Sequence, residues 1–150
     1  MKTIQSYTIK QASELSGLPE STLRYYETVG LINRINRDYS SKHRTYNEDD
    51  INLVVAIACL NATGMSIKDM RSYLKNRNNG IRGAKNQIEL LQTQKKKLSE
   101  ESRYLKLRQS YVDIKIDYWN TIASGDKKKA EIIKNKAAEI AKKLKLPKEK

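Results

Sequence analysis

The chain has 150 residues with one cysteine, one histidine, no phenylalanine, 31% charged residues and a formal net charge of +13. A single cysteine excludes an internal disulfide, and with one histidine it leaves too few soft ligands for an intrachain structural zinc site; neither metal nor cofactor is expected. No apolar run opens the chain or approaches membrane-spanning length, so the expectation is a soluble, cytoplasmic protein with a modest core and no membrane partner.

The positive excess points to a polyanion, but its placement matters more than its sum. Residues 1–50 are neutral, with seven basic and seven acidic side chains, while 51–80, 81–125 and 126–150 carry +3, +4 and +6. Locally, Arg24, Arg34, Arg37, Lys42 and Arg44 face only Glu27 and Asp38, which is a small basic footprint.

In chain order, Thr8 is the N-cap of a short helix that turns Ile9, Ala12 and Leu15 inward and closes at Gly17. Pro19 opens the next helix at the position proline tolerates best. That helix, STLRYYETVGLI from Ser21, puts Leu23, Tyr26, Glu27 and Gly30 on one side. Ser21, Thr22, Arg24, Tyr25 and Thr28 lie largely outside it, a set of hydroxyls, a phenol and a guanidinium suited to phosphates and base edges. The stretch alone also admits a plain surface helix in which Arg24 pairs with Glu27 at i, i+3. Two short helices joined by a Gly-containing turn make a helix-turn-helix. Residues 32–36 and 44–46 then read as two strands of a hairpin wing around the polar loop Asp38–His43.

Asn47 and Asp50 cap a third helix, Glu48 to Thr63, with Ile51, Val54, Val55, Ala58 and Cys59 on its inner face and Gly64 after it. Ser66 with Asp69 caps a fourth, carrying Ile67, Met70, Tyr73 and Leu74, and Asn78–Gly80 breaks it. The period then becomes seven. Ala84, Leu91, Leu98, Leu105, Val112 and Trp119 form one series; Ile81, Ile88, Lys95, Ser102, Gln109 and Ile116 interleave with it. A helix of about 40 residues with such a seam is about 60 Å long and cannot bury it alone, so a second chain is expected. Tyr104, Tyr111 and Tyr118 repeat at seven beside the seam and read as packing rather than a ligand pocket. After a turn at 123–126, a final helix turns Ala130, Ile133, Ala137, Ile140, Ala141 and Leu144 inward, shows lysines outward, and ends at Pro147.

The expected architecture is mainly α. It comprises a winged helix-turn-helix head over 1–77, a long dimerising coiled-coil helix over 81–122 and a short basic C-terminal helix over 123–150. Three functions suit it: a sequence-specific transcriptional regulator, an architectural or recombination-associated DNA bender without an effector, or a coiled-coil adaptor for an acidic protein. No Ser/His/Asp arrangement, carboxylate pair or phosphate loop stands out, and His43 sits in the wing, so an enzyme is not expected.

YTIKQASELSGLPESTLRYYETVGLI, a basic wing ending HRTY, and EDDINLVVAIACLNATGMSIKDMRSYL together resemble the DNA-binding half of MerR-type bacterial transcriptional regulators. The resemblance covers residues 7–75 in detail and the long helix in character. It implies a homodimer joined by an antiparallel coiled coil that bends and untwists double-stranded promoter DNA for RNA polymerase. It further implies Arg24 and Tyr25 in or beside the major groove, phosphate contacts from Thr22, Arg44 and Tyr46, and wing contacts from Arg37, Lys42 and His43. Tyr26 is mainly core in this scheme.

The cysteines that metal-sensing and iron–sulfur relatives use are absent, and the last 25 to 30 residues are too few for a large drug-binding domain. Cys59 within IACLNATGM resembles the lone cysteine of the aldehyde- and nitrosative-stress-responsive branch, which makes it a candidate thiol sensor. The residues alone favour a small buried hydrophobe on the face of Ile51 and Val55, because no cation stands at i±3 or i±4 to lower its pKa.

Overall fold

The computed structural model describes residues 5–144. Its elements run α1 (Ile9–Ser16), α2 (Glu20–Thr28), β1 (Asn36–Arg37), β2 (Arg44–Thr45), α3 (Glu48–Ala62), α4 (Ile67–Asn76), α5 (Gly80–Ala123) and α6 (Lys127–Leu144). The fold is mainly α, with a winged helix-turn-helix followed by one long helix and a shorter one. Contacts divide it into two compact units, Met1–Gln94 and Lys95–Lys150.

In the first unit the caps are those the residue types demand. Thr8 and Gln11 close a reciprocal capping box on α1, and Asn47 and Asp50 close another on α3. Ser66 accepts the Asp69 N–H at the start of α4. Pro19 takes the N-cap of α2, where its carbonyl accepts from the N–H groups of Thr22 and Leu23. Leu23, Tyr26, Ile32, Tyr46, Val54, Ile57 and Met70 form the heart of the core. The two wing strands pair antiparallel, Asn36 with Thr45 and Arg37 with Arg44. Tyr46 continues the ladder to Tyr7 through two 2.8 Å backbone hydrogen bonds.

Three expectations change here. The first strand does not cover 32–36, because Leu31, Ile32 and Ile35 drop into the core and pairing begins only at Asn36. Leu15 points outward, 55% exposed. The face that α1 turns inward carries Ser13 and Ser16, whose hydroxyls hold the following turn: Ser13 donates to the Leu18 carbonyl at 2.6 Å and Ser16 accepts the Leu18 N–H at 3.1 Å. On α3 the buried residues are Ile51, Val54, Ile57 and Leu60, whereas Val55 is 37% exposed and Cys59 is exposed. Residues 53–60 run without a polar break, so apolar periodicity could not single out a face.

The start of α5 is fastened to the head. Gln87 donates to the Tyr73 carbonyl at 2.7 Å and accepts from Asn76. Gln94, buried, donates to the Thr63 carbonyl at 2.6 Å. Gly83 makes the close approach possible, since a Cβ there would run into the Asn76 carbonyl oxygen.

In the second unit α6 buries Ala130 and Ala137 and half-buries Ile133, Ile140, Ala141 and Leu144, as its periodicity predicts. Asp126 caps the helix by accepting the Lys129 N–H, and Gly125 supplies the left-handed turn before it. Pro147, the expected terminator, lies outside the described residues. Tyr104, Tyr111 and Tyr118 are half-buried, and Tyr118 meets Trp119 edge to face at 5.1 Å. Leu98, Leu105, Val112, Ile116 and Trp119 stand exposed along α5, the unburied seam expected of a single strand of a coiled coil. Among the described residues no helix is long and apolar enough to cross a membrane.

Candidate nucleic-acid interface

The interface is built outward from the buried side of α2. Leu23 and Tyr26 anchor that side in the core, which leaves Ser21, Arg24, Tyr25 and Thr28 on the exposed side and Thr22 half-buried between them. Arg24 does not pair with Glu27. It reaches Glu20, one turn back, at 3.9 Å in a solvated pair that holds it weakly. The Tyr25 ring lies tilted against that of Tyr26, with centroids 6.3 Å apart. At the far end of α2, Arg71 of α4 donates to the Val29 carbonyl at 2.6 Å and satisfies a group the helix end leaves open.

Glu27 turns instead to the wing. Its carboxylate accepts from Arg44 Nε at 2.9 Å, from Arg37 at 3.1 Å and, at 3.4 Å, from the backbone N–H of Ile35. Burial pushes this carboxyl up, but the hydrogen bonds from Arg44, Arg37 and Ile35 together with the Arg37 charge outweigh it and hold the group below its ordinary value. One carboxylate thus ties the reading helix to both strands of the wing.

The wing tip is pre-shaped in the same way. Asp38 accepts the N–H groups of Ser40 and Ser41 and the Ser40 hydroxyl, which brings its carboxyl down to about 2. Lys42 takes a left-handed conformation, φ 64°, and its ammonium sits 5.0 Å above the ring of Tyr39. Lys42 and His43 are exposed, as is Tyr39 at 92%. Tyr39 lies inside the expected polar loop Asp38–His43, where an aromatic followed by Ser40, Ser41 and Lys42 at a hairpin tip is its local signal.

Of the expected contact residues, Thr22, Arg24, Tyr25, Lys42 and His43 therefore reach solvent, and Arg37 and Arg44 are half-buried around Glu27. Tyr46 is a correction. It is fully buried, and its hydroxyl is out of reach of a phosphate. Alternation along β2 turns it into the core beneath the wing, and its bridge to Tyr7 keeps it there. That hydroxyl has no hydrogen-bond partner among the described residues, and burial pushes its pKa up. Tyr46→Phe removes an unsatisfied buried group and is expected to stabilise the fold by about 1 kcal/mol. The denaturant midpoint at constant slope measures this, and a lower midpoint would reveal a partner for the hydroxyl.

Residues 7–77 match the family model described as MerR HTH family regulatory protein. An uncharacterized HTH-type transcriptional regulator of Haemophilus influenzae is 30% identical over 106 residues, which are 68% of this chain and 78% of that protein. The chain belongs to the MerR family. The HTH-type transcriptional regulator AdhR of Bacillus subtilis is 35% identical over 92 residues, 61% of this chain and 65% of AdhR. YyaN, an uncharacterized HTH-type transcriptional regulator of the same organism, is 38% identical over 69 residues, so the chain matches only about half (49%) of its length. Among solved structures, HiNmlR, a MerR family regulator lacking the sensor domain and bound to promoter DNA, superposes with a TM-score of 0.62 at 26% identity. That likeness covers 86% of this chain and 96% of HiNmlR. The family match spans the head, residues 7–77, and the likeness to HiNmlR covers more of the chain than the head alone.

Proposed function

We propose that the chain works as a homodimer whose two heads grip a pseudo-palindromic double-stranded promoter element and control transcription by distorting the spacer that RNA polymerase reads. One observation carries this reading. The α2 helix presents Arg24 and Tyr25 outward from a locked core face, beside a wing that Glu27 ties to the same helix. Arg24 and Tyr25 read base edges, Thr22 holds phosphate, and Lys42 and His43 extend the contact from the wing. HiNmlR bound to promoter DNA supports it. Bending a site of this kind costs a few kcal/mol, which phosphate contacts from two heads offset. Footprinting on genomic DNA tests the proposal. A protected pseudo-palindrome between widely spaced promoter hexamers is expected; protection elsewhere favours an architectural bender, and none at moderate salt defeats DNA binding altogether.

We further propose that Cys59 is a sensor of electrophiles such as aldehydes. Its exposure on α3 supports this, because a thiol must be reached before it can react. Cys59→Ser is expected to abolish a reporter's response to formaldehyde while operator affinity stays within about twofold, as for other surface substitutions. A response that persists in the serine variant would assign the switch to another group.

A further inference from the structure

The DNA-binding reading treats Arg37 and Arg44 as wing cations, yet the structure gives both the same counter-ion. Glu27 accepts Arg44 Nε at 2.9 Å and Arg37 at 3.1 Å from a nearly buried position. The Ile35 N–H supplies a third donor, so the carboxylate is held by the backbone as well as by the two side chains. Arg37 is further held by the Ile35 carbonyl at 2.8 Å. The triad therefore shows one net positive charge where its arginines alone would show two. The remaining basic side chains of this region, Arg24, Arg34 and Lys42, are exposed.

Attraction to arbitrary duplex depends on how many cations can displace counterions from phosphates, and hardly at all on sequence. Discrimination is the ratio between that background and binding at the right site. A carboxylate that neutralises wing cations lowers the background while leaving the reading residues Arg24 and Tyr25 untouched. We propose that Glu27 is a specificity-determining residue, which holds Arg37 and Arg44 back from sequence-independent phosphate contact. This rests on the DNA-binding reading and goes beyond it: an acidic side chain in the reading helix sharpens recognition without touching DNA.

The test uses the full chain and a random 30-base-pair duplex titrated across a salt series. Glu27→Gln keeps the shape and removes the charge. It is expected to bind random duplex about tenfold more tightly near 0.1 M salt, with the slope of log K against log salt steeper by about one, the value of one added phosphate contact. The ratio of operator to random-duplex affinity is expected to fall, and an unchanged ratio overturns the specificity role. The effect acts through the two guanidiniums, so it should vanish when Glu27→Gln is made on a background of Arg37→Gln and Arg44→Gln. A folded Glu27→Gln chain with an unchanged or flatter slope overturns the proposal, and so does a gain that survives loss of both arginines. A readout on the wild-type chain stands if the variant does not fold. The Arg44 Nε–H resonance should keep its free-chain position when random duplex is added, and movement to saturation overturns the proposal. Absence of binding by wild type to any duplex at low salt would instead remove the DNA-binding reading itself.

Discussion

Arg24→Ala will cost the protein its preference for operator over random DNA while leaving its fold and its general hold on duplex nearly intact. The fold is spared because, among the described residues, the Arg24 guanidinium pairs with Glu20 at 3.9 Å in a solvated pair worth little. Recognition suffers because Leu23 and Tyr26, buried together on the core side of the helix, set the direction in which Arg24 projects. A guanidinium so placed matches the paired acceptors of guanine, and losing such a contact costs about 1–3 kcal/mol of discrimination. Operator affinity should therefore drop roughly 5- to 150-fold, while random-duplex affinity stays nearly unchanged. Anisotropy titrations on the footprinted site and a scrambled duplex measure both. Equal losses on the two would reassign Arg24 to the phosphate backbone.

How much of this site was legible depends on the range of the interaction. Caps such as Thr8 and the Asn47–Asp50 pair are legible because they act within one turn, at spacings that local sequence displays. The division of α2 into a core side and an outer side was equally local. Glu27 was not. Its partners lie ten and seventeen residues away across a wing, so the nearest cation on the helix, Arg24, looked like the natural mate. Tyr46 misled for a related reason. A tyrosine next to Arg44 reads as a polar contact until the strand's alternation and the bridge to Tyr7 place it under the wing. Gly83 shows a third kind of blindness. It has no left-handed backbone to betray it, as Gly17, Gly30 and Gly64 have; its need is for space beside α4, which appears only once the chain has folded back. On α3 an unbroken apolar run hid the orientation of Cys59, and exposure moves that residue from the packing explanation toward the chemical one.

Introducing charge into the seam should have the other large effect. Leu98 and Leu105 lie one heptad apart on α5, 41% and 50% exposed in the single chain. A second copy must cover them if the homodimer forms through this seam. Each has about half its surface left to bury, about 1 kcal/mol apiece, and a two-fold interface uses every substitution twice. Four leucines then account for about 4 kcal/mol, and carboxylates at those positions add a desolvation cost of their own. Leu98→Asp combined with Leu105→Asp should raise the dimer dissociation constant by at least about 10³-fold. Sedimentation equilibrium reads this directly, while circular dichroism checks that the head, whose core ends before Lys95, still melts cooperatively. The consequence for DNA follows from tethering. A dimer presents its second head at roughly millimolar effective concentration, so a monomer loses about 10²-fold or more on a two-half-site operator and almost nothing on a single half-site. Comparison of the two duplexes separates loss of dimerisation from damage to the head: a variant that weakens equally on both has a broken reader. One that remains dimeric at micromolar concentration with both aspartates in place shows that the protomers meet through a different surface.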